Sequence, residues 1–214
     1  MSTYTLVIGN FNTSSWSLRP WLGLKVAAIP FHAETVNLRA PDAKAQILKH
    51  SPSGKVPVLL HHGLAIWESL AILEYIAERH PEDQLWPQDE KTRAIARSVC
   101  CEMHSGFATL RKNCPMDIMG RPANHEGVDI AKDDIQRIQS LWEECRSRFG
   151  KGGPFLFGKF SIADAMYAPV VTRFTTYGVK TSPTVQTYMD AVWSLPAMQE
   201  WQDGARAEVL AAIG

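Results

Sequence analysis

Strand signals fill the first eighty residues of this chain and nearly vanish after His80-Pro81. No single sheet or bundle accommodates that break, so the chain must build two units of different kind. Tyr4 to Ile8 reads as a strand ending at Gly9. Leu18, Trp21, Leu22 and Val26 recur at helical spacing between Leu18 and Ala28, with Gly23 weakening the helix without breaking it. Phe31 to Val36 is a second strand, and Pro41 to Lys49 a short helix opened by proline. Val56 to Leu60, the turn His61-His62-Gly63 and Leu64 to Ile66 form a hairpin, followed by a helix from Ser69 whose face is Leu70, Leu73, Ile76 and Ala77. The order β-α-β-α-β-β-α implies parallel pairing at the start and an antiparallel edge at the end.

The stretch through Leu85-Trp86-Pro87 has no period and reads as a linker. Beyond it the apolar steps are helical. Ile95, Val99, Met103, Phe107 and Leu110 define one long helix, Ile135, Ile138, Trp142, Cys145 and Phe149 a second, and Met198, Trp201, Ala205 and Leu210 a last. The chain therefore divides into an α/β domain at 1–80, a linker at 81–88 and an all-α domain at 89–214.

Charge narrows the partners. Lys and Arg number 22 and Asp and Glu 22, with no basic block, which argues against nucleic acid. The apolar run Leu6-Val7-Ile8 is far too short for a signal peptide or a membrane span, so cytoplasmic residence is expected. Cys100, Cys101, Cys114 and Cys145 make no CxxC pair, and His61-His62 stands at a turn; no metal site is expected.

Four local features bear on chemistry, each with a plainer use. Thr13-Ser14-Ser15-Trp16-Ser17 supplies N-cap candidates, and equally a set of hydroxyls and free N–H groups at a positive helix end, suited to a thiolate. Gly54-Lys55-Val56-Pro57 puts a proline at a strand start, and a cis Val56-Pro57 bond would leave the Val56 backbone open to a peptide-like ligand. Glu68-Ser69 opens a helix, as a cap with a neighbouring acid or as a holder for the ammonium and carboxylate of an amino acid. Phe160-Ser161-Ile162-Ala163-Asp164 is a capping box and is assigned to folding.

Together and in this order, these elements resemble the cytosolic glutathione transferase family across essentially the whole chain, and within it the serine-type branch near the zeta and tau classes. The resemblance implies a thioredoxin-like first domain, a helical second domain, glutathione as cofactor and a homodimer without membrane or nucleic-acid partners. It places the thiol-activating hydroxyl at Ser14, five positions before Arg19, with Ser15 as the competing residue. Val56 and Pro57 would meet the cysteinyl unit, Ser69 and Glu68 the γ-glutamyl end, and Lys55 the glycine carboxylate. Phe11, Met103, His104, Phe107 and Arg111 would wall the space for a small, mostly apolar electrophile, while core packing is the other use of Met103 and Phe107.

One departure matters. Zeta enzymes carry cysteine at the position of Trp16, and their serine-cysteine set isomerises maleylacetoacetate. The resemblance with Trp16 in place points to conjugation or a peroxidase side activity before isomerisation, and away from omega-like reductases, which need a thiol in this loop. A glutathione-binding module of the same fold without turnover is the non-enzymatic alternative.

Overall fold

The computed structural model describes residues 4–213. Four strands, β1 (Tyr4–Ile8), β2 (Phe31–Thr35), β3 (Val58–His61) and β4 (Leu64–Trp67), form one sheet in the order β2-β1-β3-β4. β1 and β2 are parallel, whereas β3 runs antiparallel to both β1 and β4. Central β1 is covered on both faces, which is why its Leu-Val-Ile run is continuously apolar. Leu6 and Ile8 enter the main core, and Val7 joins Val36, Ala43, Ile47 and Val58 on the other side.

Helices α1 (Ser15–Val26), α2 (Ala43–Leu48) and α3 (Ser69–Arg79) complete the first unit, and a 3-10 turn at Pro81–Asp83 follows. The second contains α4 (Glu90–Ser105), α5 (Ala108–Asn113), α6 (Gly127–Ile130), α7 (Lys132–Phe149), α8 (Ile162–Thr176), α9 (Pro183–Trp193) and α10 (Pro196–Ile213). α1 is buried nearly all round because it packs on α3, α8 and α10 at once. Gly23 permits the α3 contact, since a Cβ there would lie 2.5 Å from Leu73 Cδ2. α8 is the axis of the helical unit, and buried Asp164 anchors its start by accepting from the N–H groups of Leu156 (3.0 Å) and Ser161 (2.8 Å).

Several boundaries depart from the sequence reading. α1 starts at Ser15 rather than Leu18, so the serine loop is drawn into the first turn. The third strand starts at Val58 rather than Val56, one residue beyond the cis Val56-Pro57 bond. The hairpin turn shrinks to His62-Gly63, both with positive φ (47° and 80°), the geometry of a tight two-residue connection. The long helix expected from Ile95 to Leu110 is two helices, α4 and α5. A Cβ on Gly106 would stand 2.6 Å from Glu102 O, and Phe107 takes a left-handed φ of 56°.

Candidate functional site

The loop from Gly9 to Ser14 leaves the C-terminal end of β1 and enters α1, and the serines sit at that junction. Ser14 is the N-cap residue, yet its hydroxyl caps nothing; it donates to Ser17 Oγ at 2.8 Å. Ser17 Oγ also accepts the Gly9 N–H at 3.0 Å, tying the end of β1 to the first turn of α1. Ser15 is buried, and its hydroxyl has no hydrogen-bond partner among the described residues. Free N–H groups and the helix dipole make this end positive.

Trp16, Ser53, Lys55, Val56, Pro57 and Glu68 line a small cavity of about 160 Å³ beside that helix end. Four residues expected to bind the ligand thus meet at one place, with Trp16 as their neighbour. The backbone N–H and C=O of Val56 take no hydrogen bond among the described residues. Ser69, the first residue of α3, is fully buried, and its Oγ is without a partner. A buried orphan hydroxyl costs about 1–3 kcal/mol unless something bonds to it. Beside it Glu68 takes a φ of 69°, a strained value for a non-glycine residue. Orphan hydroxyl, open backbone, exposed Lys55 and half-exposed Glu68 form a donor and acceptor set that fits a tripeptide with two carboxylates and one ammonium.

The expected wall for a second substrate is distributed differently. Met103 is fully buried and Phe107 is 7 % exposed, so both belong to the core and offer almost no open surface. Phe11 is wedged between α1 and α10, its ring 4.5 Å from that of Trp201 and 6.4 Å from that of Trp21. Arg111 terminates α4, its Nη1 donating to His104 O (3.1 Å) and Met103 O (3.4 Å). His104 lies against the cavity instead, with Nε2 3.5 Å from Glu68 Oε2 and its ring 5.3 Å from that of Trp16. Burial pulls the His104 pKa below its usual value, and Glu68 opposes that shift.

Trp16 was singled out in the sequence only as a departure, and the structure gives it a position. The Arg19 guanidinium stacks on its indole at 4.1 Å, and Arg111 stands 5.6 Å from it. Arg19 is completely buried without an acidic partner, and desolvation followed by repulsion from Arg173 and Arg111 lowers its pKa to about 9. Cation–π contact is what Trp16 offers that guanidinium. Periodicity could not have found this cluster, since Arg19 and Arg173 fall at positions that helical spacing assigns to apolar side chains.

Comparison with known proteins agrees with this fold. Residues 13–79 match the family description "Glutathione S-transferase, N-terminal domain", and residues 129–201 match "Glutathione S-transferase, C-terminal domain". A probable maleylacetoacetate isomerase of Caenorhabditis elegans is 27% identical over 201 residues, covering 92% of each chain. Glutathione S-transferase 1 of Dianthus caryophyllus is 28% identical over 195 residues, covering 88% of this chain and 87% of its own. A Burkholderia glutathione transferase homologue solved with bound glutathione superposes with a TM-score of 0.70 at 25% identity, over 95% of this chain and 98% of that one. A tau class enzyme from mango gives 0.74 at 24% identity, over 98% of both. With both halves matched in order, and the cavity lined by Trp16, Val56 and Glu68 in place, the chain belongs to the glutathione S-transferase family.

Proposed function

We propose that the protein is a glutathione transferase in which the serine end of α1 activates the thiol of glutathione. Glutathione supplies a sulfur nucleophile that displaces a leaving group from, or adds to, a small electrophile. Val56 offers its free N–H and C=O to the cysteinyl unit, Ser69 Oγ bonds the γ-glutamyl carboxylate, Glu68 its ammonium, and Lys55 the glycine carboxylate. The single observation that carries this reading is the buried, unbonded Ser69 Oγ at the start of α3, next in sequence to Glu68, which lines the cavity with Val56.

Ser14 is the activator in this reading. Its hydroxyl donates to Ser17 Oγ at 2.8 Å. A bond to an anion is roughly twice as strong as a neutral one, so Ser14 turns its proton to a thiolate placed before it. Ser17, still accepting from Gly9, then donates to Ser14, and the two hydroxyls polarise one another. Ser15 adds the second free hydroxyl. A thiol pKa lowered by about 2 units from near 8.5 corresponds to about 2.7 kcal/mol of preference for the thiolate.

Ultraviolet thiolate absorbance of bound glutathione against pH tests this. Wild type should ionise the thiol below about pH 7. Ser14→Ala should return it toward 8.5 and cut the thiolate present at pH 7 roughly 25-fold. A lowered pKa that survives Ser14→Ala and disappears in Ser15→Ala moves the role to Ser15. Binding without ionisation in the wild type would leave the non-enzymatic module.

Isomerisation of maleylacetoacetate is the second reading, favoured by the similarity to the probable maleylacetoacetate isomerase of Caenorhabditis elegans. Turnover of maleylacetoacetate without net consumption of glutathione would select it over conjugation. A homodimer is supported by the edge strand β4, which leaves Leu64 51% and Trp67 43% exposed; light scattering decides it. Cytoplasmic residence is part of the same reading, and among the described residues no helix is long and apolar enough to cross a membrane.

A further inference from the structure

Every main-chain polar group of Phe11 and Asn12, the two residues in the middle of the serine loop, is bonded to the helical domain. Glu208 on α10 accepts the Phe11 N–H on Oε1 at 2.8 Å and the Asn12 N–H on Oε2 at 3.0 Å. Trp201 Nε1 donates to Phe11 O at 2.7 Å, and the Ile118 N–H donates to Asn12 O at 3.2 Å. The Asn12 side chain is used as well, donating to Asp117 Oδ1 at 2.8 Å and accepting from the Met119 N–H at 3.0 Å. None of these bonds is local in sequence; the Glu208 pair spans 196 and 197 residues.

Trp201, Gly204 and Glu208 recur at steps of three and four, so they share one face of α10. That face receives the loop. Gly204 makes room for the Phe11 ring, since a Cβ there would lie 2.8 Å from it. The loop's own ties are the Ser14 N–H to Asn10 O bond at 2.9 Å, the Ser15 N–H to Thr13 O bond at 3.1 Å and the Gly9 N–H to Ser17 Oγ bond at 3.0 Å, and none of them involves Phe11 or Asn12. The position of Phe11 and Asn12 is therefore set from outside, chiefly by a carboxylate that holds two consecutive N–H groups at once. Hydrogen bonds to an ionised acceptor are the strong kind, and two on one carboxylate restrict both translation and rotation of the loop.

We propose that Glu208 is a positioning residue for thiol activation: its bidentate hold on Phe11 and Asn12 fixes the serine loop so that Ser14 meets the sulfur of glutathione. This rests on the functional reading above. Among the described residues Glu208 has no hydrogen bond or ion pair to Val56, Glu68 or Ser69, and it lines a separate cavity with Asn10, Asn12 and Thr13. Its loss therefore separates binding from activation. A small misplacement of a reacting group costs up to about 100-fold in rate, so a loosened loop acts on kcat before KM.

The test compares wild type, Glu208→Gln, Glu208→Ala and Gly204→Ala, with Glu200→Gln as control. Glu200 lies on the same helix and pairs with Lys25 at the surface at 2.6 Å. Gln keeps the length of the side chain and one acceptor oxygen, so one N–H stays bonded. Gly204→Ala favours the helix yet presses on Phe11, displacing the loop without changing charge. The readouts are the thiol pKa of bound glutathione, and kcat and KM toward a chromogenic aryl halide.

The expected result is a thiol pKa raised by about one unit in Glu208→Ala, tenfold in the ionisation constant, with a smaller rise in Glu208→Gln and Gly204→Ala. kcat falls about 10–100-fold and KM for glutathione changes less than about 3-fold. The sign is decisive: a carboxylate acting only through its charge repels a thiolate, so removing it would lower the thiol pKa. A lowered or unchanged pKa in Glu208→Ala overturns the proposal, as does an equal change in Glu200→Gln. A wild type that does not lower the thiol pKa at all overturns the functional reading along with it.

Discussion

Ser14 gives its hydroxyl proton to Ser17 Oγ at 2.8 Å, and the same oxygen accepts the N–H of Gly9. Gly9 is the first residue after β1 and Ser17 lies in the first turn of α1, so one buried hydroxyl joins strand, helix and the proposed nucleophile-activating residue. A Cβ on Gly9 would lie 3.0 Å from Ser14 Oγ, so the approach is close.

Ser17→Ala should therefore act on chemistry as well as on stability. It leaves the buried Gly9 N–H without an acceptor, at about 1–3 kcal/mol, and removes the hydroxyl that backs Ser14. Urea unfolding should show the loss of stability. The thiol pKa of bound glutathione should rise by less than in Ser14→Ala, because Ser14 retains its own proton. Equal pKa values in Ser17→Ala and wild type would sink the coupled-hydroxyl account.

His104 crosses from the helical unit to Glu68, its Nε2 3.5 Å from Glu68 Oε2. Burial lowers the pKa of His104 from 6.5, so the imidazole is neutral at pH 7 and leaves the Glu68 carboxylate to the ligand ammonium. As pH falls through the lowered value, His104 gains charge and competes for Glu68. Glutathione affinity, followed by calorimetry, should weaken a few-fold below pH 6.5 in the wild type. His104→Gln should flatten that dependence. A variant with the same acid-side loss places the titrating group elsewhere.

The α/β half was legible because its constraints are local. Apolar runs, a two-residue turn and prolines mark strands and helices, and Val56-Pro57 and Glu68-Ser69 stand where their backbone chemistry puts them. The break between α4 and α5 was not legible, since Met103, Phe107 and Leu110 keep helical spacing straight through it. Gly106 was the available sign, weak by itself. Glu208 was invisible for a different reason: it is an ordinary charged residue on a helix, and only folding brings it to Phe11 and Asn12. The wall assigned to Phe11, Met103 and Phe107 failed to separate from the core because both are built from the same apolar side chains.

Asp164 is the folding counterpart of the serine site, and its substitution should spare the chemistry. Its carboxylate accepts from Leu156 N–H, Ser161 N–H and Ser161 Oγ, all buried. Asp164→Ala strands two main-chain donors at the start of α8 and should cost about 2–4 kcal/mol. Asp164→Asn, keeping one acceptor oxygen, should cost less. Urea midpoints give both values. The thiol pKa of glutathione bound to the folded fraction should match the wild type; a shift there would mean that α8 helps set the serine loop.

Acid should loosen the far side of the sheet through His61. Its Nδ1 stands 2.7 Å from Tyr75 OH, its ring stacks on Tyr4 at 4.4 Å, and it is 4% exposed. Burial, then the neighbouring His62, Arg79 and His80, lower its pKa from 6.5. The unfolded chain then binds the proton more readily than the folded one. The stability that neutral His61 contributes is complete above pH 6.5 and drains away as pH falls from 6.5 toward the lowered value. Asp164 works in the opposite sense, because burial raises its pKa to about 6 and the folded state gains that proton first. Comparing His61→Gln with wild type removes this opposing contribution, since Asp164 titrates in both. Urea unfolding at pH 7.5 and 5.5 should show a larger loss in the wild type than in the variant. Identical losses would mean that His61 takes up its proton as freely inside the fold as outside it, and that its packing between Tyr4 and Tyr75 admits the charged ring.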